Sequence, residues 1–249
     1  MLWFSSHKQQ ISLPSIDLHN HLLPGVDDGF QEVTQSLEAI KLLANVGVKN
    51  IVFTPHMNPD VFPKNTEKVI RASYQRFREQ IPADLGITTS LAAEYMIVHN
   101  FENRATNPEL LLHGDNSILI EMSYYFRSQN LEQTIFELNM AGKHPILAHP
   151  ERYVYMAEKL EDFEKLQDMG CLFQMNWMSL TGAYGKASLK ILQYLLSHDM
   201  YSFIATDLHT IHHLHNILSI HLSHSMSTAI ERLIEKEQKE IKKMNYHFE

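Results

Sequence analysis

Short apolar runs along this chain alternate with longer segments in which apolar residues recur every three or four positions. Ser15 to His21, Asn50 to Thr54, Ile87 to Ala93, Ile118 to Met122, Pro145 to Ala148, Cys171 to Asn176 and Tyr201 to Ala205 read as buried strands. Val33, Leu37, Ile40 and Ala44 step by four, three and four, which predicts an amphipathic helix ending near Gly47. Further helices are expected from about Glu67 to Gln80, closed by Pro82, and near Leu131 to Ala141, Leu160 to Met169 and Ala187 to Ser197. A longer one is expected from about His212 toward Lys243, its last part from Glu231 alternating acids and bases as an exposed helix does. Strand–helix alternation sustained through seven units implies a parallel sheet, and at 249 residues a closed or nearly closed barrel is favoured over an open doubly wound sheet. No glycine-rich turn follows a strand, so no dinucleotide site is expected.

The polar residues that end these runs change the picture. In α/β barrels the chemistry lies at the C-terminal ends of the strands. Here those ends read Asp17-Leu18-His19-Asn20-His21, Thr54-Pro55-His56, Ala93-Glu94-Tyr95, Ile120-Glu121, Ala148-His149-Pro150 and Thr206-Asp207-Leu208-His209. Alternate residues of a strand share a face, so His19 and His21 point one way, as do Asp207 and His209. Aiming paired ionisable groups inward is costly unless they bind a metal or each other. Imidazole and carboxylate, with no thiolate among them, are a ligand set for Mn, Fe or Zn. A multinuclear metallohydrolase is the first reading.

Composition narrows the partners. With 21 Lys and Arg against 29 Asp and Glu, the net charge of −8 argues against general nucleic-acid binding. It leaves an anionic substrate open, because bound metal ions add positive charge that no count of side chains records. The single Cys171 excludes an intramolecular disulfide and fits a reducing compartment. The first residues lack a secretory pattern and no run reaches the length of a membrane span, so a cytoplasmic protein without membrane insertion is expected. No repeat or domain boundary is visible, and residues 1–249 read as one domain with an N-terminal extension (1–14) and a C-terminal helical segment (212–249).

The stretch Ile16-Asp17-Leu18-His19-Asn20-His21-Leu22-Leu23-Pro24-Gly25-Val26-Asp27-Asp28-Gly29 resembles the opening motif of the PHP (polymerase and histidinol phosphatase) superfamily. The version it resembles is that of the bacterial protein-tyrosine phosphatases of capsular and exopolysaccharide systems. Thr54-Pro55-His56, Glu94, Ile118-Leu119-Ile120-Glu121, His149-Pro150-Glu151-Arg152-Tyr153 and Asp207-Leu208-His209 are similar to its later motifs, in the same order. The HxH and DxH pairs are shared across the superfamily, whereas PGVDDG and HPERY are more specific to the tyrosine-phosphatase branch.

The resemblance implies a distorted (β/α)7 barrel with three divalent metal ions at its mouth, Mn first and Fe or Zn as alternatives. One ion would take His19, His21, Glu94 and Asp207; a second would share Glu94 and add Glu121 and His149. The third would take His56, His209 and a carboxylate of the Asp27-Asp28 pair, with Asp28 favoured. Asp17 would hold an imidazole N–H from behind. A water bridging two ions would lose a proton and attack phosphorus, while Arg152 clamped the phosphate. The bland alternative for Arg152 is a surface salt bridge with a neighbour such as Glu151. Tyr124, Tyr125, Phe126 and Arg127 could wall a phosphotyrosine ring or simply pack a loop; His212, His213, His215, His221 and His224 read as solvated helix positions, with His212 and His213 the only ones expected near enough to the mouth to matter.

By the same resemblance the substrate is a phosphotyrosine protein, a bacterial tyrosine kinase controlling polysaccharide export. The alternatives are a small-molecule phosphatase of the histidinol-phosphatase type and a non-catalytic metal-binding scaffold. A cysteine-dependent phosphatase needs an arginine six residues after its cysteine, where this chain has Trp177. Residues 1–14 depart from the family's pattern by preceding the first motif; Leu2, Trp3, Phe4 and Ile11 suit packing across the barrel bottom or an oligomer interface.

Overall fold

The computed structural model describes residues 8–249. In chain order the strands are β1 (Lys8–Gln10), β2 (Ile16–Asp17), β3 (Asn50–Phe53), β4 (His56–Met57), β5 (Thr88–Leu91), β6 (Glu94–Met96), β7 (Ser117–Glu121), β8 (His144–Ala148), β9 (Leu172–Asn176), β10 (Phe203–Ala205) and β11 (His221–Ser223). The helices are α1 (Val33–Asn45), α2 (Glu67–Arg78), α3 (Leu131–Met140), α4 (Glu161–Asp168), α5 (Gly185–Ser197), α6 (Ile211–Leu218) and α7 (His224–Met244). A parallel six-stranded sheet runs β10-β9-β8-β7-β6-β4, and a parallel three-stranded sheet runs β2-β3-β5. The two are continuous along the chain, because β3 passes through Thr54-Pro55 into β4 and β5 passes through Ala92-Ala93 into β6. On the other side, Asp207 N–H donates to His19 O (2.7 Å) and His21 N–H to Leu208 O (3.0 Å).

β7 is buried at every position, as expected of a parallel strand covered on both faces. One face packs against the helices. On the other, Ile16, Val52, Ala92, Leu119, Ile146, Ala148, Phe203 and Ala205 form an inner cluster with Met244 and the side chains of Tyr246 and Phe248. The end of α7 and the tail after it therefore plug the N-terminal ends of the strands. Asp115 N–H donates to Met244 O there, and residue 249 pairs with Thr89 in both directions.

Two sequence expectations are corrected. The first strand is only Ile16–Asp17; beyond it Asn20 N–H goes to the hydroxyl of Thr54 (2.9 Å) instead of a backbone carbonyl, while Asn20 O accepts from both the N–H (3.1 Å) and the hydroxyl (3.0 Å) of Thr54. The helix expected from His212 toward Lys243 is two helices separated by β11, which pairs antiparallel with β1; the hydroxyl of Ser223 then caps α7 by accepting from Met226 N–H. Nor is the acid–base stretch of α7 wholly exposed. Ile230, Leu233 and Glu237 are buried, each of the two apolar side chains contributing about 1.5–3 kcal/mol. Burial pushes the Glu237 carboxyl well above its usual range, and its Oε1 accepts from Ile204 N–H. Of the extension, Ile11 packs on the core, whereas Leu2, Trp3 and Phe4 lie outside the described residues.

Candidate metal centre

The C-terminal strand ends meet in one buried cluster of imidazoles and carboxylates. His19 Nε2 and His21 Nε2 stand 3.3 Å apart. Glu94 Oε2 lies 3.2 and 3.4 Å from them, and Asp207 Oδ1 3.4 and 3.3 Å. Two imidazole nitrogens and two carboxylate oxygens converging this closely make a ligand set that could hold a divalent cation. A second group joins His56 Nδ1 to Glu94 Oε2 and Glu121 Oε1, each at 3.0 Å. A third joins His21, His56 and His209 with Asp28, whose Oδ1 lies 3.4 Å from His56 Nε2 and 3.8 Å from His209 Nε2. His149 Nε2 is 3.0 Å from the other oxygen of Glu94. The residues present fit divalent ions, and the buried Glu94 Oε2 and His56 Nδ1, close to opposite groups but aligned with none of them for a hydrogen bond, are ligand atoms such ions would satisfy.

The electrostatics agree with that geometry. Burial pushes His21 and His56 down; for His56 the charge of His21 adds to this, yet the surrounding carboxylates outweigh it and hold both well above the ordinary histidine range. His19 is raised by the Glu94 and Asp207 charges in the same way. The carboxyls of Glu94 and Asp207, raised by burial alone, are drawn well below their usual range, Glu94 by His19 and His56 and Asp207 by His19 and His209. Burial and the neighbouring His21 depress His209 to about 4.

Of the adjacent aspartates, Asp28 faces the imidazoles of His56 and His209, whereas Asp27 turns inward. Asp27 Oδ2 lies 2.8 Å from His21 Nδ1 and accepts from His56 N–H (3.0 Å), while its Oδ1 accepts from Gly29 N–H. The hairpin is possible because residue 29 is glycine: a Cβ there would lie 2.3 Å from His21 O. Asp17 does not hold an imidazole, which corrects the sequence expectation. Its oxygens accept from Thr206 N–H, Thr206 Oγ1 and Asn20 Nδ2, all fixed by the parallel run of these two segments. The partner behind His19 is Gln174 Oε1, 2.7 Å from Nδ1.

Arg152 does not pair with Glu151. Glu151 is fully buried, accepting from Asn176 N–H, Ser179 Oγ and Tyr201 Oη. The Arg152 guanidinium lies between the rings of Tyr124 (4.1 Å) and Tyr184 (4.5 Å) and donates to Asp207 Oδ2 (2.9 Å). Asn176 Nδ2 donates to the same oxygen at 2.8 Å. Gln174 and Asn176 both come from β9, the one of the seven strands expected from the sequence at whose end no site residue was expected. Their period-two placement at the end of an apolar run was the available signal. Tyr184 carried none. His213 reaches the rim, its ring 6.0 Å from that of His209, while His212 is exposed on α6. His149 and Asp207 hold left-handed backbone conformations (φ 35° and 49°), a strain of about 1–3 kcal/mol each that clusters at functional sites.

Residues 15–245 match the family described as capsular polysaccharide synthesis, CpsB/CapC. The chain is 29% identical over 197 residues to the tyrosine-protein phosphatase YwqE of Bacillus subtilis, covering 79% of this chain and 78% of that one. It is 27% identical over 203 residues to the tyrosine-protein phosphatase CpsB of Streptococcus pneumoniae, covering 79% and 83%. Among solved structures it is similar to one from work on YwqE of Bacillus subtilis and CpsB of Streptococcus pneumoniae, described as unique metal-dependent tyrosine phosphatases. That match has a TM-score of 0.78 at 25% identity and covers 92% of this chain and 93% of that one.

Proposed function

This chain belongs to the CpsB/CapC family of capsular polysaccharide synthesis, and from that premise we propose that it is a metal-dependent protein-tyrosine phosphatase. The observation that carries the reading is the convergence of His19, His21, Glu94 and Asp207 beside a guanidinium held between two phenol rings. In this reading the two sheets close as a distorted barrel of seven β/α units within a single domain, supported by the backbone bonds joining His19 and His21 to Asp207 and Leu208. Three ions, Mn first and Fe or Zn as alternatives, would sit at the mouth: His19, His21, Glu94 and Asp207 would hold one, Glu94, Glu121 and His149 a second, and His56, His209 and Asp28 the third. The short His56–Glu121 distance supports His56 facing both of the latter sites.

Divalent ions bound there supply a water of lowered pKa and positive charge against the phosphoryl oxygens. The chain's own residues do the rest. Gln174 and Asp27 fix the tautomer and orientation of His19 and His21 from behind. Arg152, whose charge is opposed by burial but held by the neighbouring Tyr124 and Asp207, offers N–H donors to the phosphoryl group as charge builds on it. Tyr124 flanks the place where the ester's ring would lie. A tyrosine phenol, with a pKa of about 10, leaves without needing a strong acid beside it. Cys171 has no part: it is buried in the helix-facing core, and burial pushes its thiol up to about 12, far from a thiolate.

The substrate proposed is a phosphotyrosine-bearing tyrosine kinase of polysaccharide export, met in the cytoplasm. Among the described residues no helix is long and apolar enough to cross a membrane. The test is turnover of p-nitrophenyl phosphate, a phosphotyrosine peptide and histidinol phosphate by Mn-loaded protein, before and after chelation, with Cys171→Ser alongside. We expect the peptide to be preferred, chelation to abolish activity, added metal to restore it, and the serine variant to keep most of it. Preference for histidinol phosphate would reassign the enzyme to small-molecule hydrolysis. No turnover of any ester would leave a metal-binding scaffold, and chelator-resistant activity lost in the serine variant would overturn the metal mechanism.

A further inference from the structure

Three neighbouring strands each deliver a candidate ligand and then, two residues later, a wall of a groove. His56 is followed by Asn58, Glu94 by Met96 and Glu121 by Ser123, and all three walls line one open cavity of about 700 Å³. A phosphoryl group held by the ligands does not need that volume, which lies within the range of pockets that take a whole organic ligand. The cavity's outer wall is apolar and uncovered. Val61 is 62% exposed, Tyr125 90% and Phe126 66%, and all three line it, with Ile97 and Val98 beneath. Exposed aromatics continuous with a site are the mark of a binding surface, since large apolar side chains in water gain nothing unless something covers them.

The groove is joined to the metal centre through Tyr124. That residue lines the cavity, its hydroxyl is 3.4 Å from His149 Nε2, and its ring lies against Arg152. An ester seated on the ligands would therefore leave its ring at Tyr124 and the atoms beyond the ring over Tyr125, Phe126 and Val61. We propose that this groove is the subsite for the peptide chain flanking the phosphotyrosine, and that it selects an apolar side chain next to the modified tyrosine. The proposal rests on the phosphatase reading and deepens it: the enzyme reads a peptide, and its surface aromatics set the preference among peptides.

Because Tyr125 and Phe126 are exposed, their truncation leaves the core intact, so Tyr125→Ser and Phe126→Ser serve as probes. Each is compared with wild type on p-nitrophenyl phosphate and on two phosphotyrosine peptides that differ only in leucine or glycine beside the tyrosine. The expected result is a lower KM of wild type for the leucine peptide by about tenfold, lost in Phe126→Ser and reduced in Tyr125→Ser, with p-nitrophenyl phosphate turnover within about twofold throughout. Equal KM for the two peptides on wild type overturns the subsite while leaving the phosphatase reading intact. An equal loss on p-nitrophenyl phosphate in the variants also overturns it, because the residues would then serve the chemistry itself. A concentration-dependent dimer abolished by Phe126→Ser, with no change in peptide KM, would give the groove to a second copy of this chain. Absence of turnover on every ester overturns the phosphatase reading, and the subsite with it.

Discussion

Arg152 shows how much of a residue's role is set by what lies on either side of it. Between Tyr124 and Tyr184 the guanidinium is oriented by both faces, and its bond to Asp207 ties it to the ligand cluster. Arg152→Ala is expected to keep the metal content and the melting temperature within a few degrees while kcat falls on the order of a hundredfold. Arg152→Lys should recover little, since an ammonium neither stacks flat between two rings nor offers a fork. Turnover within about twofold of wild type would make the side chain a mere bridge to Asp207. Read from the sequence, His19, His21, His56, Glu94, Glu121, His149, Asp207 and His209 stand out because ionisable residues at strand ends are conspicuous. The neighbours that orient them do not. Gln174 and Tyr184 act through directions of hydrogen bonds and stacking that depend on segments far apart in the chain.

At the scale of elements, every strand expected from the apolar runs overlaps an observed one, because burial on both faces writes a continuous hydrophobic signature. The break between α6 and α7 was not legible in the same way. The periodic pattern runs on through it, and β11 exists only because β1, more than two hundred residues earlier, supplies its partner. Local chemistry decides the hairpin after β2. Its fold onto His21 requires that position 29 carry no side chain, and the carboxylate of Asp27 is delivered to His21 by that fold. Gly29→Ala should displace His21, with an overpacking cost of about 1–3 kcal/mol, and lower the melting temperature by several degrees. It should also shrink the rise in melting temperature that Mn produces in wild type. A variant that melts and responds to Mn as wild type does would show the loop to be slack.

Across the whole molecule the two ends of the sheet carry different burdens. The N-terminal strand ends are closed by Met244, Tyr246 and Phe248, while the C-terminal ends are left open and lined with charge. That division was only half legible: strand-end polarity marked the mouth, but nothing local distinguished the buried part of α7 from the exposed helix its charges suggested. The crowding at the mouth has a thermodynamic consequence. In the absence of cations, His19, His21 and His56 are raised above the ordinary value for histidine, so the cluster stores protons at neutral pH. A metal that takes those nitrogens must expel them. Because the raised groups give up their protons only as pH rises, Mn affinity should climb with pH, by about tenfold per unit for each proton displaced. Titration calorimetry at one pH in two buffers of different ionisation enthalpy reads this directly. The apparent heat of Mn binding should differ between the buffers in proportion to the protons released, and identical heats would mean that the nitrogens were already bare.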